Sequence, residues 1–211
     1  MHVLSRQFIN DVPKTDLNFK STNQENELKT YYTHRKMEYL KRKWTLWYKS
    51  LDVNHDGSVS FDDAQECQRK FLELNQLTSE KTEQVKADVE KWWTTFILPS
   101  KDATITLEIF LKRLEDEYKS DKEAFVQKMN TCFSTIFHVF DTNADREISV
   151  DEQIMYFKAF GQDNEKPFRQ AFVLMEPKND TIPLQQVVNA WVQFTTCDDE
   201  TKKDVIKESF E

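Results

Sequence analysis

The chain has 211 residues and a formal net charge of −8, and 31% of its residues are charged. This acidic balance argues against the phosphates of nucleic acids as its main partner and suits a protein that collects divalent cations. Only two glycines are present, Gly57 and Gly161, so the glycine-rich phosphate loops of P-loop, dinucleotide-binding and kinase folds cannot be built. Few Gly, few Pro and long charged runs predict an all-α protein.

The three cysteines, Cys67, Cys132 and Cys197, are widely spaced and show no metal-binding spacing. Because each lies on or near a predicted apolar helix face, we expect buried free thiols in a reducing compartment. No apolar run approaches the roughly 18 residues that a membrane span needs, and the N-terminus lacks the apolar stretch of a secretory signal. These features predict a cytoplasmic protein with no membrane span.

The first part of the chain predicts a tail and then a helix that enters a loop. Residues 1–30 are polar and lack sustained periodicity, which predicts a mobile N-terminal tail. Apolar residues then recur at every third or fourth position from about Thr33 to Leu51, and again beyond residue 60 as far as about Asn75. Two amphipathic helices are therefore expected on either side of a twelve-residue loop.

That loop, Asp52–Asp63, resembles the calcium loop of an EF-hand. Gly57 stands at position 6, where the chain must turn with positive φ, and Val59 stands at position 8, the apolar residue that bridges to a paired loop. Calcium prefers six to eight oxygen ligands. The predicted ligands at positions 1, 3, 5, 7, 9 and 12 are Asp52, Asn54, Asp56, Ser58 (through its backbone carbonyl), Ser60 and Asp63.

A second loop over residues 98–109 keeps the scaffold without the ligands. Aligning Ile105 with position 8 places Leu98 and Ile109 where the two end carboxylates belong. We expect no calcium there, but Ile105 should bridge to Val59. This loop and the first one make an N-terminal pair over residues 31–118.

The third loop, Asp141–Glu152, is again predicted to bind calcium, within a C-terminal pair over residues 119–197. Arg146 occupies position 6, where a non-glycine residue at positive φ costs about 1 kcal/mol. Binding is still expected, weakened about tenfold. The predicted ligands at positions 1, 3, 5, 7, 9 and 12 are Asp141, Asn143, Asp145, Glu147 (through its backbone carbonyl), Ser149 and Glu152.

The fourth loop, residues 175–186, has Met175 and Gln186 at the end positions, so it is predicted to be inactive while Ile182 bridges to Ile148. Residues 198–211 read as a charged C-terminal tail. The whole pattern predicts a compact all-α fold of four EF-hand helix–loop–helix units in two pairs, with short β-bridges between paired loops.

These features together resemble the invertebrate sarcoplasmic calcium-binding proteins of the EF-hand superfamily. The resemblance is carried by Asp52–Gly57 with Asp63 at position 12, by the inactive fourth loop, by the chain length and by the Trp- and Phe-rich helices. It implies a compact cytosolic buffer of calcium and magnesium. The chain departs from the family pattern in its long N-terminal tail, in Arg146 and in its inactive second loop.

Three functions stay open at this point. The first is an intracellular calcium buffer with two Ca²⁺ sites, in which Mg²⁺ competes at the first site because Asp63 is short enough for one-oxygen contact. The second is a calcium sensor, although the five Met residues are scattered rather than gathered in a groove. The third is a protein for a small hydrophobic molecule, photoprotein-like or juvenile-hormone-diol-kinase-like.

The third function would need a cavity among aromatic side chains, which at helical spacing are more often core residues in mutual contact. No catalytic constellation can be proposed, so we expect a monomeric binding protein rather than an enzyme, with no nucleic-acid partner. The candidate cavity residues are Trp44, Trp47, Trp92, Trp93, Phe133, Phe137 and Trp191.

Overall fold

The computed structural model describes residues 15–75 and 77–210, which are predominantly helical. A π-helical segment, Trp93–Ile97, follows α3, and two short strands, β1 (Glu147–Ser149) and β2 (Thr181–Pro183), pair antiparallel. The α-helices of this part of the chain are α1 Thr15–Leu51, α2 Phe61–Leu74, α3 Ser79–Trp92, α4 Leu107–Ser120, α5 Lys122–Phe140, α6 Val150–Ala159, α7 Glu165–Leu174, α8 Leu184–Thr196 and α9 Val205–Phe210.

The first helix begins much earlier than the sequence predicted. A helix was expected from about Thr33, whereas α1 begins at Thr15, so residues 15–30 of the predicted tail are helical. Residues 15–30 can be helical without apolar periodicity, because a helix that has already nucleated gains one hydrogen bond for each residue it adds. Residues 1–14 lie outside the described residues, and the mobility of the tail stays a prediction.

The chain divides into two units at Lys36 and Met37. In the first unit, the side chains from Asn26 to Lys36 are exposed. The second unit holds the hydrophobic core and all four loops. Both predicted helix pairs lie in it, apart from residues 31–36, and the division between the pairs stays a prediction. Among the described helices, none combines the length and apolar character that crossing a bilayer requires.

The predicted bridges between paired loops are confirmed. Val59 and Ile105 exchange two backbone hydrogen bonds, with N–O distances of 2.9 and 2.8 Å. Ile148 lies opposite Ile182 in the β1–β2 pair. All four side chains are at most 2% exposed. The loops predicted to lack calcium ligands therefore keep the backbone contact with the loops predicted to bind calcium.

The aromatic residues considered as a cavity lining are buried and in mutual contact. The Phe133 ring lies 5.4 Å from that of Trp47 and 5.3 Å from that of Trp191, measured between centroids. A cavity beside Trp191 and Tyr156 has a volume of about 10 Å³, which is room for roughly one water molecule. The aromatic side chains therefore form the core, the alternative that the sequence already favoured.

The cysteines follow the prediction with one exception. Cys67 and Cys132 are buried and free, and burial raises the pKa of the Cys67 thiol to about 12. Such thiols are inert at neutral pH. Cys197 is also free but only partly buried, because it follows the last turn of α8.

The C-terminal residues do not form the charged tail that the sequence predicted. Residues Val205–Phe210 are the helix α9, in which Ile206 is 1% exposed. Charged residues surround Ile206 in the sequence, but Ile206 shares an apolar helix face with Phe210, which packs against the core. The prediction weighed the charge of the segment and missed the periodicity of its apolar side chains.

Candidate metal centre

The first loop is held in shape by the ends of the two helices beside it. α1 ends at Leu51 and α2 begins after Ser60, whose side chain accepts a hydrogen bond from the backbone N–H of Asp62. The Asp63 carboxylate accepts in return from the backbone N–H of Ser60 at 2.8 Å, which completes a capping box. The residue predicted at loop position 12 therefore also starts the leaving helix.

Asp52 offers the clearest test of whether a cation fits this loop. Its Oδ2 accepts from the backbone N–H of Gly57 at 3.1 Å and fixes the turn. Its Oδ1 is buried and accepts no hydrogen bond. A buried carboxylate oxygen without a partner is costly, and a hard cation within the loop would supply that partner. The chemistry of the loop therefore fits a calcium or magnesium ion.

Asp63 is completely buried. Its Oδ1 accepts from the backbone N–H groups of Val53 (2.8 Å) and Asn54 (3.1 Å). Burial raises the pKa of this carboxyl, and the hydrogen bonds from the backbone oppose that shift. The arrangement ties position 12 to positions 2 and 3, so the two ends of the loop close on each other.

The middle of the loop is a chain of hydrogen bonds between side chains and backbone. Asn54 Oδ1 accepts from Asp56 N at 2.9 Å, and Asp56 Oδ1 accepts from Ser58 N at 2.9 Å. The hydrogen bonds that the Asp56 carboxylate accepts from the backbone N–H and hydroxyl of Ser58 lower its pKa. In residues 15–75 and 77–210, no three His, Cys, Asp or Glu side chains are gathered closely enough to hold a metal ion as they stand; here the carboxylates face backbone N–H groups.

The third loop repeats most of these contacts, with the difference that Asp141 Oδ1 accepts a hydrogen bond from Asp145 N at 3.2 Å. Asp141 Oδ2 accepts from Arg146 N at 3.0 Å, as Asp52 does from Gly57. Glu152 Oε1 accepts from Thr142 N at 3.2 Å and its Oε2 from Ser149 N at 3.0 Å.

Further inside the loop, Asn143 Oδ1 accepts from Asp145 N at 3.0 Å, and Asp145 Oδ1 accepts from Glu147 N at 2.8 Å.

Arg146 adopts the conformation that the sequence predicted for position 6. Its φ is 64°, compared with 92° for Gly57 in the first loop. The residues at position 4, His55 and Ala144, also have positive φ, at 61° and 59°. The third loop therefore has the same turn as the first, at the cost of a strained non-glycine residue.

Replacing Arg146 by Gly is expected to tighten calcium binding at the third loop about fivefold to tenfold, because about 1–1.4 kcal/mol of backbone strain is relieved. Isothermal calorimetry measures the change. Arg146→Ala is the matched control, since it removes the positive charge and keeps the strain. If the Ala variant gains as much affinity as the Gly variant, the charge of Arg146 and not its backbone limits binding.

The two loops predicted to be inactive are closed by other contacts. In the fourth loop, Gln186 Nε2 donates to the carbonyl oxygen of Met175 at 2.6 Å and so links position 12 to position 1. Beside the second loop, Arg113 Nη1 donates to the carbonyl oxygen of Ile97 at 2.6 Å, where burial lowers the pKa of the guanidinium. In the fourth loop, a side chain therefore links the two end positions directly.

Two groups beside the first loop were not identified from the sequence. Tyr48, near the end of α1, donates its hydroxyl to the carbonyl oxygens of Ile105 (2.9 Å) and Gly57 (3.2 Å). His55, at position 4 of the first loop, has Nε2 3.3 Å from the carbonyl oxygen of Gly161. Loop position 4 gave no sequence signal for that long-range contact.

One known protein is similar over most of the chain. The sarcoplasmic calcium-binding protein of Mizuhopecten yessoensis is 47% identical over 175 residues, which cover 82% of this chain and 99% of that protein. No protein-family model matches the chain.

Solved structures share the fold at low sequence identity. The coelenterazine-binding protein of Renilla muelleri, in its calcium-loaded apo form, has a TM-score of 0.70 and 18% identity, covering 82% of this chain and 96% of that one. n-Aequorin has a TM-score of 0.60 and 14% identity, covering 84% and 95%. The photoprotein mitrocomin of Mitrocoma cellularia has a TM-score of 0.60 and 17% identity, covering 80% and 90%.

Proposed function

The chain belongs to the family of sarcoplasmic calcium-binding proteins, and from this premise we propose that it is an intracellular calcium buffer with two working EF-hand loops. The ions bind at the first and third loops, and the second and fourth loops serve as structural partners. The protein acts as a cytoplasmic monomer, without enzymatic activity and without a nucleic-acid partner.

The observation that carries this proposal is the shared turn of the two loops. Asp52 with Gly57 and Asp141 with Arg146 make the same contact between the position-1 carboxylate and the position-6 N–H. The buried Asp52 Oδ1 that accepts no hydrogen bond adds a direct reason for a cation in the first loop. The proposed ligands are Asp52, Asn54, Asp56, Ser58, Ser60 and Asp63 in the first loop, and Asp141, Asn143, Asp145, Glu147, Ser149 and Glu152 in the third.

The two sites should differ in ion preference. Glu152 can reach an ion with both carboxylate oxygens, which suits the high coordination number of calcium. Asp63 is one methylene shorter than a glutamate at the same position, which favours contact with an ion through a single oxygen. One-oxygen contact fits the octahedral shell of magnesium. We therefore place competition by Mg²⁺ at the first loop.

The buffer is favoured over the sensor by the state of the core. A sensor opens on binding and exposes a Met-rich groove, whereas Met37, Met129 and Met175 are each at most 7% exposed among aromatic side chains. The cavity of about 10 Å³ beside Trp191 is too small for an organic ligand. This volume gives no support to the alternative of a small hydrophobic ligand.

A calorimetric calcium titration tests the proposal. In a background of millimolar Mg²⁺, the protein should bind two calcium ions with submicromolar affinity, in the range of cytosolic buffers. Removing Mg²⁺ should tighten the site at the first loop more than the site at the third. One weak site or none would show that the scaffold no longer stores calcium, and strong calcium-induced binding of a hydrophobic dye would favour a sensor.

A further inference from the structure

The segment that follows α8 is fixed to α1 by a buried lysine. Lys43 is 1% exposed, and its ammonium donates to the carbonyl oxygen of Cys197 at 2.8 Å and to Oδ2 of Asp204 at 3.1 Å. The same ammonium lies over the ring of Tyr39, 4.6 Å from the centroid. Burial lowers the pKa of Lys43, and the negative charge of Asp204 opposes that shift. A charge this deeply buried is tolerated only with its partner in place.

Asp204 links this ion pair to the last helix. While Oδ2 faces Lys43, Oδ1 accepts from the backbone N–H of Lys207 at 3.1 Å and caps α9. α9 then directs Ile206 into the core and stacks the Phe210 ring on that of Phe194, with centroids 6.0 Å apart. One carboxylate therefore both holds the segment and starts the helix.

Ile206 closes a groove in the C-terminal helix pair. It forms one wall of the cavity of about 10 Å³, whose other walls include Tyr156 and Trp191. Ile148 of the β-bridge and Glu152 at position 12 of the third loop also line this cavity. α9 thus lies against residues that calcium binding at the third loop would move, in the place where EF-hand sensors open a groove.

We propose that α9 is a built-in occupant of the hydrophobic groove of the C-terminal pair, and that the Lys43–Asp204 ion pair is the latch that keeps this groove closed when the third loop binds calcium. The groove therefore fits an amphipathic helix, and in this chain α9 is that helix. The calcium-dependent part rests on the proposed function above, whereas the latch and the occupied groove do not.

Two substitutions in the full chain should open the groove by different routes. Lys43→Met leaves the Asp204 carboxylate buried and unpaired, which favours release of the segment into water. Ile206→Asp keeps the latch and places a charge in the apolar cavity. Lys43→Met with Asp204→Asn is the matched control, because the pair is then neutral and Asn still caps α9.

Fluorescence of anilinonaphthalene sulfonate, measured with and without calcium, reports an open groove. The wild-type chain should bind little dye in either state. Lys43→Met and Ile206→Asp should each raise the fluorescence severalfold, more with calcium than without, and limited proteolysis should cut residues 198–211 first. The double variant should bind less dye than Lys43→Met but more than the wild type, because it leaves no unpaired buried charge and yet lacks the ion pair that holds the segment.

The outcomes separate the latch from the calcium sites. If both single variants bind no dye and keep the C-terminal segment protected, α9 is not a removable occupant and the proposal is wrong. If dye binding rises equally with and without calcium while calorimetry still finds two ions, the groove is occupied but ion binding does not drive its opening. If calorimetry finds no bound ions in the wild type, the proposed buffer function is wrong. The latch is then judged from the dye fluorescence and the proteolysis measured without calcium.

Discussion

Replacing Asp52 by Ala is expected to remove one of two bound calcium ions while the chain stays folded. The substitution deletes both the Oδ1 that accepts no hydrogen bond and the Oδ2 that accepts from Gly57 N–H. Loss of an anionic ligand should weaken the first loop by about a hundredfold or more. Calorimetry at micromolar calcium should therefore count one ion instead of two, with the remaining site unchanged within about threefold.

Asp102→Ala is the control for this experiment. Asp102 is an exposed carboxylate at position 5 of the second loop, so its removal alters the net charge equally and should leave two ions bound. Circular dichroism of both variants in millimolar Mg²⁺ should match the wild type. An unchanged ion count in Asp52→Ala would show that the first loop is not a calcium site.

The local geometry of the loops could be predicted because each requirement falls on one residue type at a fixed position. Val59 and Ile148 at position 8 predicted both bridges, which depend only on register. Position 6 predicted the positive φ of Gly57 and also that of Arg146. Such features are encoded within twelve residues, so no tertiary information is needed to find them.

The parts that escaped prediction depend on contacts between distant segments. α9 is a short helix that follows a charged stretch, and the burial of its Ile206 is evident only against the C-terminal pair. Lys43 did leave a signal: it lies three residues after Leu40 and four before Trp47, both buried, on the apolar face of α1. Its partner Asp204 is 161 positions away, so the two residues could not be paired without the structure.

The loops predicted to be inactive show a similar limit. Missing end carboxylates at Met175 and Gln186 predicted that the fourth loop does not bind calcium. The hydrogen bond between them, which closes the loop without an ion, depends on side-chain orientation and could not be inferred. The sequence thus identifies the absence of ligands more readily than the contacts that replace them.

Replacing Gly161 by Ala is expected to lower the free energy of unfolding by about 2–5 kcal/mol, measured in denaturant without divalent ions. Gly161 ends α6 with φ of 76° in a Schellman motif, in which Gln162 N–H donates to the carbonyl oxygen of Phe157 at 2.9 Å. The positive φ alone costs an Ala about 1–2 kcal/mol. A Cβ would also lie 2.7 Å from the carbonyl oxygen of Val53, and such overpacking adds about 1–3 kcal/mol.

Gly57→Ala separates these two contributions. Gly57 also has positive φ, but a Cβ there would meet no atom within 4 Å, so its substitution should cost only the conformational part. The N–H of Val53 holds the Asp63 carboxylate at 2.8 Å, which means that a displaced Val53 peptide should also weaken calcium binding at the first loop. Equal losses of stability in the two variants would show that the close approach of α6 to Val53 does not constrain the fold. A larger loss at Gly161, with weaker binding at a loop about 100 positions away in sequence, would show that the end of α6 supports the first site.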